Sequence, residues 1–246
     1  MKPILVAACA LAFASARAGA QSPTDPPGDI TISGGIAAVS DYRFRGISQS
    51  DRRPAVQGSV TVDHVSGVYG RVWTSTIHDY VANDAPAEID LSAGYRRTFG
   101  GTTVDAGVLY YWYPGAGGIA SDYVEPYASV AHTLGPVTGK LSVAYAPKQN
   151  AISAGEGRED NLYVAGEVSA FVPGSPLSLS AHLGHNSGPG HLGLRESYAD
   201  WSLGASYTRS GLTFGLVYVD TDDSFRTPRG RNASGAGLLA SVAFGF

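Results

Sequence analysis

The stretch Leu238-Leu239-Ala240-Ser241-Val242-Ala243-Phe244-Gly245-Phe246 decides how this chain is read. Leu238, Ala240, Val242, Phe244 and Phe246 recur at every second position. An extended strand therefore puts all five on one face and, apart from Leu239, only small residues on the other. The same period recurs eleven more times upstream. In the first run Ile30, Ile32, Gly34, Ile36 and Ala38 oppose Thr31, Ser33, Gly35 and Ala37. Further predicted strands cover about 55–65, 67–77, 88–99, 102–113, 122–134, 137–147, 161–172, 177–185, 197–209, 212–220 and 234–246. The connections alternate between tight and long. Tight turns fall at Ser66-Gly67, Gly100-Gly101, Gly135-Pro136, Pro173 to Pro176 and Ser210-Gly211, all hairpin chemistry. Long loops cover 41–54, 78–87, 114–121, 148–160, 186–196 and 221–233. Long loops at one end and short turns at the other predict an all-β fold: one antiparallel up-and-down barrel of about 12 strands. A soluble sandwich has no reason for this asymmetry.

Composition narrows the environment. The chain has 246 residues, 43% hydrophobic, with 32 glycines, and no run of 18 apolar residues that a membrane helix would need. Mean hydropathy is near zero, as polar-in, apolar-out alternation gives, although a soluble β-protein gives a similar value. Residues 1–20 read as a secretory leader, with Lys2 at its start, an apolar core from Ile4 to Ala14, and Ala18-Gly19-Ala20 before Gln21. Residues 21–29 are polar and Pro-rich, a flexible lead-in, and 30–246 form the predicted transmembrane barrel. Cys9 is the only cysteine and lies in the leader, so an exported chain has neither disulfides nor thiolate metal ligands. Without Lys2 and Arg17, 15 basic residues face 21 acidic ones, which argues against nucleic acid as a partner.

The closing strand resembles the C-terminal signal of bacterial outer-membrane proteins, in which a final aromatic ends an alternating strand. That resemblance implies the bacterial outer membrane as location, its lipid as a partner, and recognition by the barrel-assembly machinery through the strand ending at Phe246. Outward aromatics fit two interfaces: Trp112, Tyr145, Trp201 and Tyr218 near the long loops, and Phe99, Tyr207, Phe214, Phe244 and Phe246 near the turns. Short turns would then be periplasmic and long loops extracellular.

A sharper pattern runs from Ser40-Asp41-Tyr42-Arg43-Phe44-Arg45-Gly46-Ile47-Ser48-Gln49-Ser50 through Pro54-Ala55-Val56-Gln57-Gly58 to Gly67-Val68-Tyr69-Gly70-Arg71-Val72-Trp73-Thr74-Ser75. It resembles the TorF-type porin family of proteobacteria, which carries a Tyr-Arg-x-Arg-Gly-x-Ser-x-Ser run, a Pro-Ala-x-Gln-Gly step and a Gly-x-Tyr-x-x-x-Trp-x-Ser hairpin. The resemblance implies an outer-membrane channel and singles out Tyr42, Arg43, Arg45, Gly46, Ser48 and Ser50. It supplies no solute and no catalytic residues.

The residues themselves leave two readings of Arg43 and Arg45. They could form a basic lip for anionic solutes or surface-lipid phosphates, or pair with lumen carboxylates and pin the first loop; the inward face offers partners and favours the second. Inward parity assigns Asp63, Asp90, Asp105, Glu125, Glu167 and Asp200 to the pore wall, answered by Arg71, Arg96 and Lys140. We expect mild cation preference from this imbalance, reversed if the first-loop arginines fold into the pore; the sign of the reversal potential in a salt gradient tests it.

No cofactor or metal is expected. His182, His185 and His191 cluster near Ser187 and Asp200, but no nucleophile elbow surrounds Ser187, and chance clustering in a Gly-rich loop is the simpler account. The expected function is passive diffusion of small hydrophilic solutes or ions, with no catalysis. Two alternatives stay open: a lipid-hydrolase-type barrel enzyme, and a closed structural or adhesive barrel plugged by inward Tyr69, Trp73, Tyr111 and Tyr113.

Overall fold

A computed structural model describes residues 28–118, 120–153, 157–189 and 197–246. The expected leader, most of the lead-in and His191 lie outside the described residues. Twelve long strands form the barrel: β1 Ile30–Val39, β2 Ala55–His64, β3 Val68–Thr76, β4 Ala87–Phe99, β5 Thr102–Trp112 and β6 Tyr123–Leu134. They continue as β7 Val137–Gln149, β8 Glu159–Phe171, β9 Leu177–Ser187, β10 Ser197–Arg209, β11 Leu212–Thr221 and β12 Gly237–Gly245. Each pairs antiparallel with its sequence neighbours, and β12 pairs with β1 (Gly35↔Gly245, Ala37↔Ala243) to close the ring. Phe246 and Gly34 exchange both backbone hydrogen bonds, at 2.9 and 3.0 Å, extending that seam. Closure removes the unpaired edges that would otherwise invite association.

The predicted strands agree in number and order, and the largest boundary difference is at the start of β12. Residues 234–236 belong to the preceding loop because Asn232 Oδ1 accepts from the Ser234 and Gly235 amides, at 3.2 and 2.9 Å, and bends the backbone out of the ladder.

Alternation sorts side chains between two solvents. Leu141, Leu183, Leu203 and Leu238 are each more than 60% exposed on the outer face. So broad an apolar belt, with Phe99, Trp112, Phe214 and Phe244 also outward, is a surface that fits a lipid surrounding. The opposite parity points into the barrel and is polar. Inward tyrosines do not simply project into the lumen: a Cβ at Gly94 or Gly107 would stand 2.7 Å from the Tyr69 hydroxyl or 2.5 Å from that of Tyr127, so these rings lie along the wall over glycines of the next strand.

Candidate functional site

The Tyr42–Ser50 run folds into the barrel instead of standing at its lip. Arg43 pairs with Ser48 and Phe44 with Ile47 in a two-rung antiparallel ladder. Arg45 and Gly46 connect the rungs with φ of 47° and 80°, the doubly left-handed turn that matches hairpin twist. Gly46 is also required by proximity, since a Cβ there would overlap Thr221 Cγ2 and stand 2.9 Å from Asp200 Cβ. The tip thus abuts β10 and β11.

Every motif side chain has a task in this hairpin. Arg45 is buried, forms an ion pair with Glu125 at 2.6 Å, donates to Asn161 Oδ1 at 3.1 Å and lies 4.2 Å from the Tyr163 ring centroid. Tyr42 packs against Trp73 (5.3 Å between centroids) and donates to Glu88 at 3.0 Å. Phe44 meets Tyr111 edge-on at 5.8 Å, and Tyr111 stacks on Tyr123 at 4.2 Å. Ser48 donates to Asp41 at 2.5 Å, Arg43 pairs with the same carboxylate, and Ser50 accepts from the Tyr42 amide at 2.9 Å. A buried hairpin in a polar lumen needs this degree of satisfaction, because each orphaned group costs about 1–3 kcal/mol.

Neighbouring loops hold the hairpin from above. The His78 amide donates to the Gln49 carbonyl at 2.8 Å, and Tyr80 donates to the Ser48 carbonyl. Burial holds the Tyr80 hydroxyl above the ordinary tyrosine range, so it acts as a neutral donor. From the last long loop, Ala233 packs with Ile47 and Tyr198, and its carbonyl accepts from the Ser48 amide at 2.9 Å. On the other side Val81, Ala82 and Ala85 form one apolar cluster with Tyr111, Tyr113, Tyr123, Ala151 and Ile152.

The charged positions of the wall fall into groups. Arg96 meets Asp63 at 2.6 Å and Asp105 at 3.9 Å, while lying 4.6 Å over the Tyr69 ring; Tyr69 donates to Asp105 at 2.8 Å. Arg71 and Asp90 occupy adjacent strands, with Arg71 Nε and Asp90 Oδ1 buried and without hydrogen bonds. Glu125 is taken up by Arg45 and by Tyr111, which donates at 2.9 Å. Across the barrel, Lys140 is the register partner of Glu167, and Glu167 that of His182. His182 Nε2 bonds Asp200 at 2.9 Å, its Nδ1 lies 3.8 Å from Glu167, and Tyr163 donates to Asp200 at 2.8 Å.

This geometry bears on catalysis. His182 Nε2 is shared by Asp200 and the Tyr163 hydroxyl, at 2.9 and 3.0 Å, and Nδ1 faces Glu167 at 3.8 Å, so the imidazole is held inside a cluster of two carboxylates and a tyrosine. His185 has the opposite parity and bonds Ser197 at 3.2 Å, so it and His182 occupy different faces of β9. Ser187 stands at the loop end of that strand, five positions from His182.

Parity reasoning passed over Glu88, which shares the parity of Asp90, is 2% exposed and accepts from Tyr42 and Tyr113. Asn161 and Tyr163 were likewise missed. Their inward parity was legible, but their importance depends on Arg45 arriving from more than 110 positions away.

Comparison with known proteins follows from this architecture. The barrel is similar in fold to the NanC porin, with a TM-score of 0.60 at 12% identity, covering 88% of this chain and 99% of that one. It is similar also to an outer-membrane channel from Pseudomonas putida F1, with a TM-score of 0.56 at 10% identity, covering 92% and 98%. No curated protein matches the sequence. A family model matches residues 20–239, and the chain accordingly belongs to the Gcw_chp family, described as bacterial proteins of unknown function.

Proposed function

We propose that the protein is a porin-like channel of the bacterial outer membrane, passing small hydrophilic solutes or ions by diffusion and narrowed by the inserted hairpin. One observation carries this reading: a closed barrel with an apolar outer belt, whose opposite strand parity carries Asp63, Arg71, Asp90, Arg96, Asp105, Glu125, Lys140, Glu167 and Asp200. A wall of charges exchanges the membrane barrier for water, and so replaces a high desolvation cost with a modest electrostatic one. Fold similarity to a porin and to an outer-membrane channel supports it, as does the resemblance of the Tyr42–Ser50 run to TorF-type porins. The reading carries with it outer-membrane lipid as surroundings and assembly through the strand ending at Phe246.

The expected cation preference rested on Arg43 and Arg45 staying out of the lumen. They fold in as ion pairs, Arg43 with Asp41 and Arg45 with Glu125, so they do not reverse the acid excess of the wall, and we propose weak cation selectivity. A second reading, a barrel closed at rest, is favoured by the aromatic packing of the hairpin against Trp73 and Tyr111. Current from refolded protein in a planar bilayer separates the two. Discrete steps, with a small reversal potential of cation-selective sign in a salt gradient, are expected of the channel; silence from demonstrably folded protein overturns it in favour of the closed barrel.

A further inference from the structure

Arg43 is held at two of its three guanidinium nitrogens. Its Nε meets Asp41 at 2.6 Å, and its Nη1 donates to the carbonyls of Gly46, Ala233 and Gly235 at 2.9, 2.6 and 3.2 Å. Its Nη2 is buried and has no hydrogen-bond partner. Contacts on the other nitrogens fix the guanidinium plane, so the free amino group has a defined direction. Leaving a charged donor unsatisfied is costly, which makes the position an acceptor site waiting for an acceptor.

The free group lies beside Gly237, next to a second arginine. Were residue 237 to carry a Cβ, that atom would stand 3.1 Å from Arg43 Nη2 and 3.5 Å from Arg52 Nη2. With no Cβ, Gly237 lets both guanidiniums come this close, and its parity is that of the lumen, since Leu238 next to it is 67% exposed on the outer face. Arg52 is exposed and is held only through carbonyls, Nη1 to Asn232 at 3.2 Å and Nη2 to Ala236 at 2.9 Å. It can swing outward and admit a group to Arg43 Nη2. Two neighbouring guanidiniums without a bridging acid repel, and an oxyanion between them removes that repulsion while accepting from both. The surrounding rim has the same sign: Arg53 and Arg231 flank the buried Asp51 at 3.8 and 3.6 Å, and Arg226 and Arg229 are exposed on the same loop as Arg231. That rim raises the local concentration of anions in a chain whose net charge is −4.

We propose that Arg43 and Arg52, over Gly237, bind the phosphate or carboxylate group of a dissolved solute at the mouth of the barrel. The lumen-side position of Gly237 assigns the group to a solute and not to the headgroup of a surrounding lipid. The site needs no conduction, so its failure and the failure of the channel reading are distinguishable.

The test is calorimetric titration of the refolded full-length barrel in a non-ionic detergent with inorganic phosphate. Saturable binding is expected, weakened at least tenfold by Arg52→Ala and by Gly237→Ala, whose Cβ would crowd both guanidiniums. Arg229→Ala, on the same rim but paired with Asp79 at 3.7 Å, should weaken it far less. Heat-modifiable gel migration establishes that each variant is folded. Absence of saturable binding to the wild type, or equal binding by both site variants, overturns the proposal. So does equal weakening by Arg229→Ala, which indicates diffuse attraction by the rim. Displacement of phosphate by added lipopolysaccharide overturns the assignment to a solute.

Discussion

Replacing Arg45 by Ala should release the inserted hairpin while leaving the barrel intact. The guanidinium is buried, 2.6 Å from Glu125, and its removal leaves a carboxylate that is 3% exposed with Tyr111 as its remaining donor. Breaking one side of a buried ion pair costs about 3–5 kcal/mol, and lost stacking on Tyr163 adds about 1 kcal/mol. Even the lower figure shifts the balance between docked and released hairpin by on the order of a hundredfold, at tenfold per 1.4 kcal/mol. The wall itself is spared, because β6 and β8 are held by their own ladders to β5, β7 and β9. Hydrogen exchange of residues 40–54 reads the release directly, and conductance should rise if the hairpin narrows the channel. Glu125→Ala should have a comparable effect, and the double variant should be far less than additive because neither charge is then stranded. Strict additivity in the double variant, or unchanged exchange in Arg45→Ala, would refute the assignment of this pair as the anchor.

Three further outcomes are expected. Gly46→Ala should also expel the hairpin, since it combines a φ of 80° with overlap onto Thr221, and protease cleavage within 40–54 should rise while the barrel keeps its folded migration on gels. Gly34→Val should impair closure itself: a Cβ there would lie 2.6 Å from the Ser59 carbonyl and 2.9 Å from the Phe246 ring, so the heat-modifiable folded band should diminish. Leu183→Arg, on an outward position that is 62% exposed, should cost about 2–4 kcal/mol if that face meets the middle of a bilayer, measured by denaturant unfolding from lipid vesicles. Unaltered stability there would count against a membrane location.

Strand number, order and turn positions were legible in the sequence because each depends on local rules. A period of two needs only neighbours in the chain, and turns such as Ser210-Gly211, with φ of 52° and 82°, announce themselves by residue type. Asp63, Asp90 and Glu167 could therefore be assigned to one face without knowing what they meet. Glu88 shows the limit of that reasoning, since its parity was plain and its partners were not.

The fate of the first loop was decided only by tertiary structure. Sequence alone left Arg43 and Arg45 between a basic lip and a set of pins, and the folded chain separates them. Arg45 is consumed by Glu125, Asn161 and Tyr163, while Arg43 keeps one amino group without a partner. The partners of Arg45 lie about 80 to 120 positions away, and Arg43 adds to its neighbours Asp41 and Gly46 the carbonyls of Ala233 and Gly235, about 190 positions away, all brought within reach by the closing of twelve strands into a ring. Alternation determines which way a side chain points, but barrel closure determines what stands opposite it. No local pattern encodes that distance.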